Sequence, residues 1–185
     1  MISHTFGGQS PSAWVQRWAG AIARDARVLD FAAGGGRNIA VLGARGARVV
    51  AADRDAQALA SIGDAALRVC TDLESRPWPF EPGSFDAVVC CNFLHRPRLD
   101  LLFALVAPGG LMIYETFAQG NARYGRPANP AFLLSPGELF TAAGRNGFVV
   151  LGYEHGYEAD PKPAIVQRLC AARPPFEAER YPLVG

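Results

Sequence analysis

Three consecutive glycines, 34–36, interrupt the apolar stretch VLDFAAGGGRN at residues 28–38. Residues 28–31 have the composition of a buried strand, and a helix is expected from about residue 36. Because glycine has no Cβ, a turn of this kind lets the backbone approach a ligand closely. The stretch therefore predicts a ligand-binding turn, with a plain strand-to-helix connection as the alternative.

Carboxylates stand at or near the ends of three apolar runs. Asp30 lies in the first run, Asp53 ends the second and Asp72 follows the third. A carboxylate in the position of Asp53 can accept hydrogen bonds from both hydroxyls of a ribose, as nucleotide-binding folds require. The same residue could instead cap the helix that follows it.

The glycine spacing argues against a nicotinamide cofactor. That fingerprint is G-x-G-x-x-G/A, and its third small residue lets the helix pack closely on the strand. Starting from Gly34 and Gly36, the third position is Ile39; starting from Ala32 and Gly34, it is Arg37. Both registers fail, so a nicotinamide-dependent oxidoreductase is retained only as a lesser alternative.

Polar residues follow the fourth and fifth apolar runs, where ligands of open α/β sheets are found. After the fourth run come Asn92, His95 and Arg96, and the fifth run ends in Tyr114, Glu115 and Thr116. His95 is the candidate general base because its unperturbed pKa lies near neutrality. A hydrogen-bonded structural histidine is the alternative. Tyr114 and Glu115 are expected to contact the substrate.

The loop at 118–134 carries Arg123, Tyr124 and Arg126 and no acidic residue. Loops of this length are often lids over a site, and two arginines beside a tyrosine suit an anionic or planar substrate. We therefore expect these three residues to bind the substrate. A solvated surface loop is the alternative.

The elements that must position these residues alternate along the chain. Strands are expected at 28–31, 47–52, 67–71, 85–91 and 111–117, and helices at 10–23, 36–44, 55–62, 97–106 and 135–147. The apolar runs are continuous, as in parallel strands covered on both faces. The last two strands, 148–155 and 163–173, are joined by a short polar loop and should pair antiparallel. The pattern predicts a doubly wound α/β sheet with an antiparallel last strand and helices on both faces.

The 185 residues suit one domain, with a helical cover at 1–25, a core at 26–172 and an irregular tail at 173–185. A net charge of +1 gives no general attraction to nucleic acid or membranes. We find no secretory signal and no apolar run of transmembrane length. The four cysteines show no metal-binding spacing and are expected to be buried thiols. These features favour a cytoplasmic protein without a metal site.

The ordered motifs resemble class I S-adenosylmethionine-dependent methyltransferases. In that family an acidic residue in an apolar strand precedes G-x-G-x-G; here the acid is Asp30, and Ala32, Gly34 and Gly36 take the glycine positions. Ala32 departs from the pattern by one methyl group. The segments WPFEPGSFDAVVCCNFLH and LVAPGGLMIYETF resemble the later motifs, so the likeness runs from about 28 to 117.

The resemblance implies S-adenosylmethionine as the cofactor and a seven-stranded sheet. It implies that the turn passes under the methionine portion, that Asp72 meets the adenine amino group and that Leu73 offers its backbone N–H to the ring. The residues expected at the cofactor are Asp30, Ala32, Gly34, Gly36, Asp53, Arg54, Asp72, Leu73 and Asn92.

A small-molecule acceptor is favoured over a macromolecule. The residues after the fourth strand are NFLH, not the Asn-Pro-Pro-aromatic motif of amino-group methyltransferases, and no Pro-Cys marks a cytosine enzyme. The compact size is similar to the small-molecule and tellurite-resistance branches of the family. A non-catalytic domain that binds the cofactor or a protein partner is the alternative. Neither the acceptor atom nor the oligomeric state follows from the sequence.

Overall fold

A seven-stranded sheet forms the centre of the protein in the computed structural model, which describes residues 10–181. The strands are β1 (Arg27–Phe31), β2 (Arg48–Asp53), β3 (Leu67–Cys70), β4 (Phe85–Cys91), β5 (Val106–Phe117), β6 (Val149–Glu158) and β7 (Ala164–Ala172). Their order is β3-β2-β1-β4-β5-β7-β6, and β7 lies antiparallel between β5 and β6 while β1 to β5 pair in parallel. The predicted doubly wound sheet with an antiparallel last strand is confirmed.

Helices cover both faces of the sheet. They are α1 (Ala13–Ala19), α2 (Ile39–Gly43), α3 (Ala56–Ala60), α4 (Leu99–Ala104) and α5 (Glu138–Arg145). Side chains alternate between the faces of a strand, so each apolar strand contributes to two cores. Helices α1 to α3 pack on the core that includes Val28 and Ile113. Helices α4 and α5 pack on the core that includes Phe31 and Tyr114.

Helix α1 is shorter than predicted. Ser12 is its N-cap, with the side-chain oxygen accepting a hydrogen bond from the Val15 N–H at 3.2 Å. The helix ends at Ala19 rather than Ala23, and Gly20, which has a low helix propensity, is its C-cap. Trp14 is 3% exposed, and its indole N–H donates to the Leu169 carbonyl oxygen at 3.0 Å, so α1 is bound firmly to the sheet.

The segment after β4 also differs from the prediction. The helix expected at 97–106 is shorter in the structure, where it is α4. The Pro108–Gly110 segment was expected to end that helix, but it lies within β5, which already begins at Val106. A Cβ on Gly110 would lie 2.6 Å from the Asp86 carbonyl oxygen. The glycine therefore permits the close approach of β4 and β5 at their irregular start, where the pairing register shifts between Phe85 and Ala87.

The expectation of buried thiols holds for three of the four cysteines. Cys90, Cys91 and Cys170 are buried, whereas Cys70 is exposed. Cys70 lies on β3, an edge strand with a neighbour on one side only, and this explains its exposure. In the part of the chain between residues 10 and 181, no helix is both long and apolar enough to cross a membrane.

Candidate active site

The turn after β1 has the backbone conformation that its glycines allow. Ala32, Gly34 and Gly36 have φ angles of +59°, +52° and +79°, so every second residue is left-handed. A Cβ on Gly36 would lie 2.7 Å from a side-chain carbon of Ile62, so packing requires glycine there. A Cβ on Gly34 would meet no atom within 4 Å. Gly34 therefore presents bare backbone to open space.

Asp53, the last residue of β2, is hydrogen-bonded to this turn. Its Oδ2 accepts the Gly34 N–H at 2.8 Å, and its Oδ1 accepts the Asp55 N–H at 2.9 Å. The helix cap considered for Asp53 is made instead by Asp55, whose side chain accepts the N–H groups of Gln57 and Ala58. Asp53 thus sets the position of the turn while remaining partly exposed.

Asp30 is buried beneath the turn without complete hydrogen bonding. It is 1% exposed, and its Oδ2 has no hydrogen-bond partner. Burial raises the pKa of Asp30 to about 7, against the opposing influence of the Arg37 guanidinium and the Asn38 side chain. A buried carboxylate with a free oxygen is suited to an approaching cation or hydrogen-bond donor.

Arg37 and Asn38 follow the turn directly. One Arg37 guanidinium nitrogen, Nη2, is buried and has no hydrogen-bond partner. Asn38 is 2% exposed; its Oδ1 accepts the Ser12 N–H at 3.0 Å, and its Nδ2 donates to Cys91 Sγ at 3.6 Å. The start of α1 is therefore fixed against the turn.

Asp72 and Leu73 lie just beyond β3, at the same edge of the sheet. Asp72 accepts hydrogen bonds from the Glu74 and Ser75 backbone N–H groups and from the Ser75 hydroxyl, and these bonds lower its pKa to about 2. The Leu73 side chain is buried, and its carbonyl oxygen accepts the Trp78 indole N–H at 2.9 Å. Arg54 is exposed, with Nη1 3.9 Å from a Glu74 carboxylate oxygen.

The residues after β4 lie beside the turn. Asn92 is exposed, has a φ angle of +57° and donates its backbone N–H to the Glu115 carbonyl oxygen at 2.8 Å. His95 is half-buried and lines a small recess with four aromatic side chains. These are Phe31, Trp78, Phe93 and Tyr114.

Tyr114 and Glu115, both expected at the substrate, are buried. Tyr114 is 1% exposed, and its hydroxyl donates to the Phe93 carbonyl oxygen at 2.7 Å; burial raises its pKa well above the ordinary range. The Glu115 carboxylate accepts from Ser12 Oγ at 3.0 Å and from Arg168 Nε at 2.6 Å. The polar atoms of both side chains are therefore already engaged within the protein.

The loop at 118–134 is fixed at its ends and exposed in its middle. Residues 122–126 are all exposed, including Arg123, Tyr124 and Arg126. Asn121 is 1% exposed; its side chain donates to the Pro127 carbonyl oxygen and accepts the Ile165 N–H. Asn121 therefore fixes the first end of the loop to β7.

Arg96 fixes the other end of the loop. Its guanidinium donates to the carbonyl oxygens of Ala131 and Leu133 at 2.7 and 2.6 Å. It also pairs with both carboxylate oxygens of Glu138 in α5, at 2.6 and 2.9 Å. Arg96 is therefore an anchor of the loop, and its donors are not directed at a ligand.

Known proteins share both the motifs and the fold. Residues 29–113, from β1 into β5, match the family model described as the methyltransferase domain. The chain is therefore similar to methyltransferase domains over slightly less than half of its length. It is 35% identical over 102 residues to a demethylmenaquinone methyltransferase of Clavibacter sepedonicus, a match that covers 50% of this chain and 41% of that protein. The chain thus spans less than half the length of this relative.

Solved structures of methyltransferases have the same fold. TehB of Haemophilus influenzae superposes with a TM-score of 0.69 at 17% identity, over 85% of this chain and 61% of that chain. A Burkholderia thailandensis 1,6-didemethyltoxoflavin-N1-methyltransferase superposes with a TM-score of 0.62 at 22% identity, over 86% of this chain and 78% of that chain. That structure holds 1,6-didemethyltoxoflavin and S-adenosylhomocysteine.

Sequence reasoning missed four residues at the turn or connected to it: Ser12, Arg37, Asn38 and Arg168. The signal for two of them was present, since RN follows the glycines directly and is polar where the helix should begin to bury apolar residues. Arg168 gave no local signal, because its partner Glu115 is on another strand. Among residues 10–181, no group of three or more His, Cys, Asp and Glu side chains is arranged to hold a metal ion.

Proposed function

We propose that this chain binds S-adenosylmethionine at the turn after β1 and transfers its methyl group to a small-molecule acceptor. The observation that carries the proposal is the hydrogen bond from the Gly34 N–H to Asp53, which brings a carboxylate beside bare glycine backbone. In an open α/β sheet this is where a nucleotide ribose is bound.

The unpaired groups near the turn suit the methionine portion of the cofactor. Asp30 has a buried carboxylate oxygen without a hydrogen-bond partner, and Arg37 has a buried guanidinium nitrogen without one. An α-amino acid carries an ammonium and a carboxylate, which are complementary to these two groups. We assign Asp30 to the ammonium and Arg37 to the carboxylate.

The adenosine portion is assigned to the ends of β2, β3 and β4. Asp53 takes the ribose hydroxyls, and Asp72 with the Leu73 backbone takes the adenine. Arg54 and Asn92 complete the set at this edge. The hydrogen bond from the Thr71 N–H to the Asp53 carbonyl oxygen at 2.9 Å supports this assignment, because it holds the segments after β2 and β3 side by side.

The bound cofactor supplies a methyl group already activated by the sulfonium. The protein must therefore orient an acceptor and, where needed, remove its proton. His95 is half-buried beside the end of β4 and is our candidate for that base. Arg123, Tyr124 and Arg126 are our candidates for acceptor contacts, since they are exposed on a loop that starts at the end of β5.

A small acceptor is supported by two of the methyltransferases described above. Their names refer to demethylmenaquinone and to 1,6-didemethyltoxoflavin, and neither compound is a macromolecule. A useful panel therefore contains hydroxylated quinols, nitrogen heterocycles and aromatic carboxylates. Formation of S-adenosylhomocysteine would identify an acceptor, and S-adenosylhomocysteine binding without turnover on any compound would favour the non-catalytic alternative.

Calorimetric titration tests the cofactor assignment. We expect S-adenosylmethionine and S-adenosylhomocysteine to bind and NAD not to bind. Asp53→Ala should weaken S-adenosylhomocysteine binding roughly ten- to a hundred-fold, because charge-assisted hydrogen bonds of about 1.5–3 kcal/mol are lost. Asp55→Ala is the matched control: it removes the α3 cap but leaves both oxygens of Asp53 in place. Equal affinity in wild type and a folded Asp53→Ala protein would place the ribose elsewhere.

A further inference from the structure

A row of alternating charges crosses three strands on the face that α1 covers. Glu115 of β5 lies opposite Arg168 of β7, and Arg168 lies opposite Glu154 of β6. Arg168 contacts three carboxylates: Nε donates to Glu115 at 2.6 Å, Nη1 to Glu154 at 3.3 Å, and Nη2 is 2.6 Å from Glu158. Burial lowers the pKa of Arg168, but the bonds to Glu115 and Glu158 outweigh this effect and raise it overall.

The row ends beside the cofactor turn. Glu115 Oε2 is taken by Arg168, and Oε1 accepts the Ser12 hydroxyl. Arg37 Nη2 lies 3.8 Å from the same Oε1, beyond hydrogen-bond distance. Both Glu115 oxygens are therefore hydrogen-bonded without Arg37, and Arg37 Nη2 stays buried without a hydrogen bond, in a longer ion pair with Oε1.

We infer that Arg168 is a positioning residue for cofactor binding, which keeps Arg37 free by holding Glu115. The inference rests on the proposed function, in which Arg37 receives the methionine carboxylate. Without Arg168, the buried Glu115 carboxylate would lack its main counter-charge, and such a group strongly attracts a neighbouring cation. Arg37 is 3.8 Å away. It would close on Glu115 and be lost to the cofactor.

The side chain at 168 must be arginine for this role. A guanidinium reaches several carboxylates from separate nitrogens in a fixed plane, whereas an ammonium is a single point charge. Arg168 uses three different nitrogens for three carboxylates. Lysine at this position would offer a single point charge and could not reproduce the three contacts made from separate nitrogens.

S-adenosylhomocysteine is the probe, and its affinity is measured by calorimetry. We expect Arg168→Gln to weaken binding about ten-fold or more, and Arg37→Gln to do the same. In the Arg37→Gln background, Arg168→Gln should change the affinity less than about three-fold, because the effect passes through Arg37. Arg17→Gln is the control, since Arg17 pairs with Glu154 at 2.9 Å in an exposed position and does not touch Glu115. It should bind as wild type does.

A substitution of Glu115, the partner of Arg168, distinguishes the positioning role of Arg168 from a purely structural role. Glu115→Gln removes the group that would capture Arg37, so binding should stay within about three-fold of wild type even where thermal unfolding shows lower stability. This variant also provides the test if Arg168→Gln fails to fold.

Several results would overturn the inference. Unchanged binding in Arg168→Gln, additive losses in the double variant, or a Glu115→Gln loss as large as that of Arg168→Gln would each do so. If wild type itself does not bind S-adenosylhomocysteine, the proposed function fails and the inference fails with it.

Discussion

Asp30 is an acid whose burial sets its response to pH. Burial raises the pKa of Asp30 to about 7 from an ordinary value of 3.8. Between these two pH values the folded chain therefore keeps a proton on Asp30 that the unfolded chain has lost. The contribution of Asp30 to stability is therefore complete below about pH 4 and is lost as the pH rises through about 7. A cation that meets Asp30 reverses this trend, because it favours the charged form.

Cofactor binding should consequently strengthen with pH. Between pH 6 and pH 7 the methionine ammonium stays largely protonated while the ionised fraction of Asp30 rises from about one-tenth to about one-half, so the S-adenosylhomocysteine affinity should rise about five-fold. Calorimetry at both pH values measures this, and Asp30→Asn is expected to bind more weakly with a flat profile. If the affinity of wild type does not change with pH, or if Asp30→Asn shows the same pH dependence, Asp30 does not contact the ammonium.

Single residues differ in how far the sequence could reveal them. Asp30, Asp53 and Asp72 could be selected because a carboxylate near the end of an apolar run is a local pattern. Tyr114 illustrates the limit: it lies within the predicted strand 111–117, but which face of the sheet its side chain points to depends on the register. The structure directs it into the core, where its hydroxyl meets the Phe93 carbonyl oxygen.

The glycine turn is the element on which the proposed cofactor binding depends. Gly34→Ala puts a methyl group into space that no protein atom occupies within 4 Å, at a φ angle of +52°. The left-handed conformation should cost about 1–2 kcal/mol of stability. If the cofactor fills that space, S-adenosylhomocysteine affinity should fall at least ten-fold in addition.

Gly147→Ala is the matched control for this element. Gly147 has a φ angle of +75°, and a Cβ added to it would also meet no atom within 4 Å, but it lies just before β6, at the opposite edge of the sheet. Gly147→Ala should lower the stability by about as much as Gly34→Ala does, and its affinity for S-adenosylhomocysteine should match that of wild type. Similar S-adenosylhomocysteine affinities for the two variants would show that the cofactor does not bind at the turn.

The loop between its two anchors should act on the acceptor alone. Arg123→Ala and Arg126→Ala should leave S-adenosylhomocysteine affinity unchanged and raise the KM for an identified acceptor, because a guanidinium can hold an anionic group by two hydrogen bonds. Arg145→Ala, which loses an exposed pair with Asp100, is the control. Turnover equal to that of the control in both variants would make 122–126 a plain surface loop.

Elements were predicted more accurately in type than in length. Continuous apolar runs identified every strand, but strand ends and helix ends depend on contacts beyond the local pattern. The Pro108–Gly110 segment has the composition of a helix stop, yet backbone hydrogen bonds of Gly109 and Gly110 with Arg173, the residue after β7, continue β5 through it. Likewise, the loop anchors depend on Arg96, whose contacts with Ala131, Leu133 and Glu138 join segments that are distant in sequence.

At the scale of the whole molecule, the two cores share one sheet. The sequence indicated this layering, since only strands covered on both faces are apolar throughout. It also predicted that the N-terminal helical cover at 1–25 belongs to the same domain. In the structure, α1 joins the sheet through the buried Trp14 and joins the turn through Ser12. The proposed single domain should therefore unfold in one step, α1 included.

Tryptophan fluorescence can test whether α1 and the sheet unfold together. The chain has three tryptophans, and Trp14 and Trp18 both lie in α1. In Trp78→Phe the fluorescence reports on α1 alone, while far-UV circular dichroism reports on the sheet and all helices. Urea unfolding should give the same midpoint by both probes. S-adenosylhomocysteine at 100 times its Kd should add about 2.7 kcal/mol to the free energy of unfolding by either probe. An earlier fluorescence midpoint would make α1 a separately unfolding cover.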